Sequence, residues 1–121
     1  MNNVLTEEQE QALLHQWSLR HPDSRLKLLF AIPNGGQRNA IVGAKLKATG
    51  VKKGVPDLLL PIPNKTHHGL FIELKRTKGA SISPEQKTWL AKLSEQGYMA
   101  VVCKGFDEAK KVIEQYLLNE V

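Results

Sequence analysis

The sequence has a single cysteine, Cys103, among its 121 residues. One thiol cannot form an internal disulfide. It also rules out the usual structural zinc sites, which draw on several thiolates. The first exclusion suits a reducing intracellular compartment. No apolar run approaches the ~20 residues that a membrane-spanning helix needs. The stretch Met1 to Glu10 is acidic and polar, unlike a secretory leader. The expectation is a soluble, cytoplasmic protein with no membrane partner. There is no internal repeat, low-complexity tract or linker, and the length fits one compact domain over 1–121.

What is present is an ordinary globular balance, 41% hydrophobic and 24% charged, which argues against disorder. The formal net charge is +5, from 17 Lys and Arg against 12 Asp and Glu. An excess of that size permits a phosphate-bearing partner without requiring one.

Thr6-Glu7-Glu8-Gln9 reads as a capping box. It predicts a helix to about Arg20, ending before Pro22, with Leu13, Leu14 and Trp17 as its apolar stripe. Glu10 shares that inward face, Glu8 points roughly 160° away, and Glu7 lies between them. Leu26 to Ile32 reads as a strand, and Pro33-Asn34-Gly35-Gly36 as a turn. Arg38 to Thr49 has helical character, with Gly50 as its stop. Val55 to Leu60 reads as a buried strand that Pro61 ends. Leu70 to Arg76 is a second strand, paired with it as a hairpin. Ser83-Pro84-Glu85-Gln86 starts a helix with the stripe Gln86, Trp89, Leu90 and Leu93, and Gly97 closes it. Tyr98 to Cys103 is a strand. Phe106 to Leu118 is the last helix, with Ala109, Val112, Ile113, Tyr116 and Leu117 inward. The order α-β-(α)-β-β-α-β-α gives an α/β fold, a mixed sheet flanked by helices.

The segment that carries chemistry is Pro56-Asp57, followed sixteen residues after the aspartate by Glu73-Leu74-Lys75. Residues two apart on a strand share a face, so Glu73 and Lys75 project together while Leu74 enters the core. A hairpin between the two strands lets Asp57 meet Glu73 near its end. Two carboxylates in a partly buried site repel each other and raise one pKa. A divalent cation removes that penalty, and hard oxygen ligands suit Mg²⁺ or Mn²⁺. Lys75 can then orient a water or stabilise developing charge. Taken alone the pattern has bland equivalents. An aspartate before a strand is often a cap, and Glu-X-Lys is often a solvated ion pair.

Glu10 adds a third acid on an inward face, where a charge is expensive unless paired or metal-bound. It completes a cage of Glu10, Asp57 and Glu73, with the Leu74 carbonyl as a backbone ligand. A charge favoured near a helix N-terminus accounts for Glu10 equally. Gln86 reads either as an active-site group or as the capping partner of Ser83. Lys45, Lys47, Lys52 and Lys53 form a basic cluster that either grips phosphates or is simply solvated. Arg38 beside the glycine turn, and Lys78 beyond the second strand, are further candidate phosphate contacts. His67 and His68 are adjacent in a loop and poorly spaced for one metal. Ser81 and Ser83 lack a base, Cys103 reads as inert core, and Trp17 and Trp89 as core anchors.

With these residues in place, the chain resembles the VRR-NUC domain family, a branch of the PD-(D/E)XK nucleases with the restriction-endonuclease-like fold. The resemblance runs nearly full length. It is carried by Glu10-Gln11 with Trp17, Ala31-Ile32-Pro33-Asn34-Gly35-Gly36 with Arg38, and Gly54-Val55-Pro56-Asp57. Leu70-Phe71-Ile72-Glu73-Leu74-Lys75, Ser83-Pro84-Glu85-Gln86 with Trp89, and Gly97-Tyr98 complete it. The resemblance implies that Glu10, Asp57 and Glu73 are metal-site acids, Lys75 the catalytic lysine and Gln86 an accessory residue. It implies a small bacterial or phage-type endonuclease using Mg²⁺ or Mn²⁺ and no small-molecule cofactor. Such proteins act as homodimers on branched DNA such as four-way (Holliday) junctions. Symmetry agrees, since two matched cuts in a two-fold junction call for two copies of a domain with one site. The alternative expectation is a non-catalytic nucleic-acid-binding module that uses the basic cluster.

Overall fold

A computed structural model describes residues 4–33 and 40–121. Helix α1 spans Glu7–Arg20, and Thr6 caps it in the expected box with Gln9. Its buried face is Glu10, Leu14 and Ser18, with Trp17 packed alongside. Leu13, expected on the stripe, is 39% exposed. Neighbouring helical residues point about 100° apart, so Leu13 and Leu14 cannot both lie at the centre of one face.

The strand expected from Leu26 to Ile32 is mostly a different element. Ser24–Leu28 forms a 3-10 helix started by Asp23, whose side chain accepts the Arg25 amide, and only Phe30–Ala31 is strand, β1. Leu26 and Leu29 are buried while Leu28 is exposed. That three-residue spacing matches a 3-10 turn, where residues i and i+3 eclipse. The expected turn at Asn34-Gly35-Gly36 and Arg38 lie outside the described residues. Helix α2 spans Ala40–Ala48, and Gly50 follows it with φ +101°.

Strand β2 covers Leu58–Leu60, shorter than the expected Val55 to Leu60. Pro56, which has no amide to donate, stays outside the ladder and is buried. Strand β3 is Leu70–Lys75 and β4 is Met99–Lys104. Helix α3 (Pro84–Glu95) connects β3 to β4, and α4 (Phe106–Leu118) follows β4. The sheet order is β1-β2-β3-β4, antiparallel except for the parallel β3–β4 pair. Leu70, Ile72 and Leu74 share one face of β3. They join Leu14 of α1 and Ile113 and Leu117 of α4 in a single core. Phe71, Glu73 and Lys75 take the other face. Among the described residues no helix is long and apolar enough to cross a membrane.

Candidate active site

The β2–β3 register fixes the first pair of functional groups. Leu58 pairs with Ile72, so Asp57, one residue outside β2, falls opposite Glu73. Its backbone is held on the other side as well, because its carbonyl accepts the Ile32 amide at 2.7 Å. Its carboxylate Oδ2 accepts the Leu74 amide at 2.8 Å. The aspartate is therefore clamped by both neighbouring strands.

Glu73 and Lys75 share a face as the strand period requires, with Lys75 Nζ 3.9 Å from Glu73 Oε2. Both are buried. Gln86 reaches the same carboxylate: its Nε2 donates to Glu73 Oε2 at 3.2 Å. Its Oε1 meanwhile accepts the Ser83 amide, and the Ser83 hydroxyl accepts the Gln86 amide, closing the capping box. One end of the same amide group thus closes the helix cap while the other touches Glu73.

The third acid is Glu7, not Glu10. Carboxylate oxygens of Glu7, Asp57 and Glu73 lie within 4.8 Å of one another. Glu10 Oε1 instead accepts the Phe106 amide at 3.0 Å. Helical geometry supplies the reason. Measured around the axis from Glu10, Leu14 lies at about +40°, Ser18 at about +80° and Glu7 at about +60°. The buried face of Glu10, Leu14 and Ser18 is centred on Leu14, and Glu7 projects within about 20° of that direction from the first turn. The same wheel drawn about Leu14 alone would have singled out Glu7 from the sequence. Centring it between Leu13, Leu14 and Trp17 favoured Glu10.

The electrostatics follow from this packing. Burial, then the adjoining Asp57 carboxyl, pushes the Glu73 carboxyl far above its ordinary value. Lys75 draws it back down, and Glu7 adds to the rise. Among the described residues, Glu73 Oε1 is buried without a hydrogen-bond partner. A buried orphan oxygen is costly, and here it sits amid two further carboxylates. A hard divalent cation would satisfy that oxygen and relieve the mutual repulsion, so the donor set fits Mg²⁺ or Mn²⁺. The Leu74 amide donates to Asp57, and the Leu74 side chain enters the core.

The loop before Asp57 is fastened to α3. Trp89 Nε1 donates to the Lys53 carbonyl at 3.1 Å. Gly54, at φ +91°, lies so near the first turn of α3 that a Cβ would sit 2.7 Å from Glu85 backbone. That contact brings the segment leading to Asp57 against the helix carrying Gln86. Lys45, Lys47, Lys52, Lys53 and Lys78 are all exposed. Cys103 is wholly buried in β4, and burial pushes its thiol up to about 12.

The sequence model of the VRR-NUC domain matches residues 4–107. A solved structure described as a "VRR_NUC domain protein" superposes with a TM-score of 0.86 at 34% identity, over 98% of this chain and 93% of that one. No curated protein matches the sequence.

Proposed function

The chain belongs to the VRR-NUC domain family, and from that membership of a nuclease-type family we propose a metal-dependent endonuclease that hydrolyses DNA phosphodiester bonds. We further infer selectivity for branched DNA such as four-way junctions, cut by a homodimer. The observation that carries the reading is the meeting of three carboxylates within 4.8 Å, with Lys75 Nζ 3.9 Å from one of them.

In this reading Glu7, Asp57 and Glu73 hold Mg²⁺ or Mn²⁺, and the Leu74 carbonyl is an additional ligand. A cation so held would supply a lowered pKa for an attacking water and offset negative charge on a phosphoryl oxygen. The chain's own residues supply the rest. Gln86 fixes Glu73 Oε2, so that Oε1 stays directed to the cluster. Lys75 keeps its ammonium beside the reacting centre. There it orients the attacking water or offsets the charge that develops at phosphorus. Low solvent exposure strengthens that interaction. Lys45, Lys47, Lys52, Lys53, Lys78 and Arg38 are proposed to grip phosphates flanking the cut, positioning DNA without reading its sequence. Two-fold symmetry of a dimer would match the two-fold character of a four-way junction.

The test is a cleavage panel of duplex, flap, single-stranded and four-way DNA with Mg²⁺, Mn²⁺ or chelator. Wild type should cut the junction symmetrically, with metal only, and Asp57→Asn and Lys75→Ala should be silent. Salt-sensitive binding without cutting under either metal would instead identify a non-catalytic binding module. A monomer by sedimentation that still makes paired cuts would remove the dimer from the proposal.

A further inference from the structure

We propose that Glu10 is a positioning residue. Its buried carboxylate locks the start of α1 to the β4–α4 junction, so that Glu7 one turn earlier reaches Asp57 and Glu73. The inference rests on the metal-binding reading above.

Glu10 is 5% exposed. Its Oε1 accepts the amide of Phe106, the first residue of α4. That helix has no side-chain cap of its own, because its N-cap is Gly105. Glu10, distant in sequence, does the capping instead, and a carboxylate is favoured at a helix N-terminus. Gly105 in turn donates its amide to the Lys75 carbonyl at 2.7 Å. A short path therefore runs from the Lys75 carbonyl through Gly105 and Phe106 to Glu10. It ties α1 directly to the strand that carries Glu73 and Lys75.

The glycine is a condition of this contact. Gly105 has φ +92°, and a Cβ there would lie 2.6 Å from Thr77 Cγ2 and 3.1 Å from Glu10 Oε2. The backbone is thus shaped to admit the glutamate.

Glu7 needs such an anchor. Its side chain is exposed, so packing around it does not fix its place, and the helix backbone must. Three residues separate Glu7 from Glu10, about 4.5 Å along the axis. Any rotation or slide of α1 carries the Glu7 carboxylate with it. Partners that orient metal ligands without touching the ion commonly govern affinity about 10- to 100-fold.

The experiment is Mn²⁺ titration of the full chain, with free Mn²⁺ read by electron paramagnetic resonance. The proteins are wild type, Glu7→Ala, Glu10→Ala, Glu10→Gln and the Glu7→Ala/Glu10→Ala double variant. Glu10→Ala should weaken binding about tenfold. Glu10→Gln keeps an oxygen for the Phe106 amide and should stay within about twofold of wild type. The double variant should bind no more weakly than Glu7→Ala alone, within about twofold, because Glu10 acts through Glu7. Losses that add in the double variant overturn the inference. So does a Glu10→Gln loss as large as that of Glu7→Ala, which would make Glu10 a ligand itself. Should Glu10→Ala fail to fold, Glu10→Asp, one methylene too short for the Phe106 amide, takes its place and should weaken binding to a similar degree. Wild type that takes up no Mn²⁺ sinks the metal reading and this inference together. Wild-type uptake with Glu10→Ala unaffected sinks this inference only.

Discussion

The carboxylate of Asp57 accepts the backbone amide of Leu74 at 2.8 Å, so one acid both faces the proposed cation site and completes the β2–β3 hairpin. Truncation to alanine would confound these roles. Asp57→Ala leaves the Leu74 amide, on a buried residue, without its acceptor, at a cost of about 1–3 kcal/mol. Asp57→Asn keeps an oxygen for that amide and removes the charge. Both variants should lose cleavage. Chemical denaturation should show a clear stability loss for alanine and a smaller one for asparagine. Equal loss in both would deny the hydrogen bond its structural part.

Glu73 gives a prediction with a definite sign. Its folded pKa is raised above the ordinary 4.5, first by burial and then by Asp57. An acid raised in this way binds more protons folded than unfolded, so stability falls as pH rises above the unfolded value. The loss accrues at up to about 1.4 kcal/mol per pH unit, until the folded group itself ionises. In chelator, Glu73→Gln should therefore be more stable than wild type at pH 7 to 8, and the gap should close near pH 4. Thermal melts across that range measure it. A gap that is constant with pH, or of opposite sign at neutral pH, would mean Glu73 is ionised in the metal-free protein.

Much of the site was legible because strand and cap chemistry are local. The two-residue strand period put Glu73 beside Lys75, and the Ser83-to-Gln86 spacing announced a cap that the structure contains. The hairpin needed only the lengths of two apolar runs. Glu7 was not legible on the same terms. Three acids occur in the first turn of α1, and which one reaches the sheet depends on the helix's rotation, a tertiary quantity. That rotation is set by contacts with residues 96 positions away, as between Glu10 and Phe106. The missed 3-10 helix at Ser24–Leu28 has a related origin. An apolar run with leucines three apart satisfies a strand or a tight turn, and burial of Leu26 with Leu29 selects the turn.

The two contacts of Gln86, with Ser83 and with Glu73, can be separated by one substitution. Glutamate is equally suited to the third position of a capping box, so Gln86→Glu keeps the helix start. It cannot donate to Glu73 Oε2, and it sets a fourth carboxylate against the cluster. Stability should change by less than about 1 kcal/mol, while junction cleavage falls tenfold or more on the order expected for lost support of a metal ligand. Gln86→Ala should lower both. Full activity in Gln86→Glu would reduce Gln86 to a helix cap.

Lys52 and Lys53 lie on a loop that is fastened beside the site. The Lys53 carbonyl is held by Trp89, and the next residue, Gly54, is pressed on α3. Their exposed side chains therefore extend from a fixed platform a few residues before Asp57. Each lysine that neutralises a phosphate contributes about 0.9 to the slope of log affinity against log salt. Replacing both by glutamine should lower the magnitude of that slope for duplex or junction DNA by about 1 to 2. Binding should weaken to a similar degree across sequences, because phosphate contacts carry no base information. A slope that does not change would leave Lys52 and Lys53 as solvated surface, and would shift the phosphate grip to Lys45 and Lys47 at the end of α2.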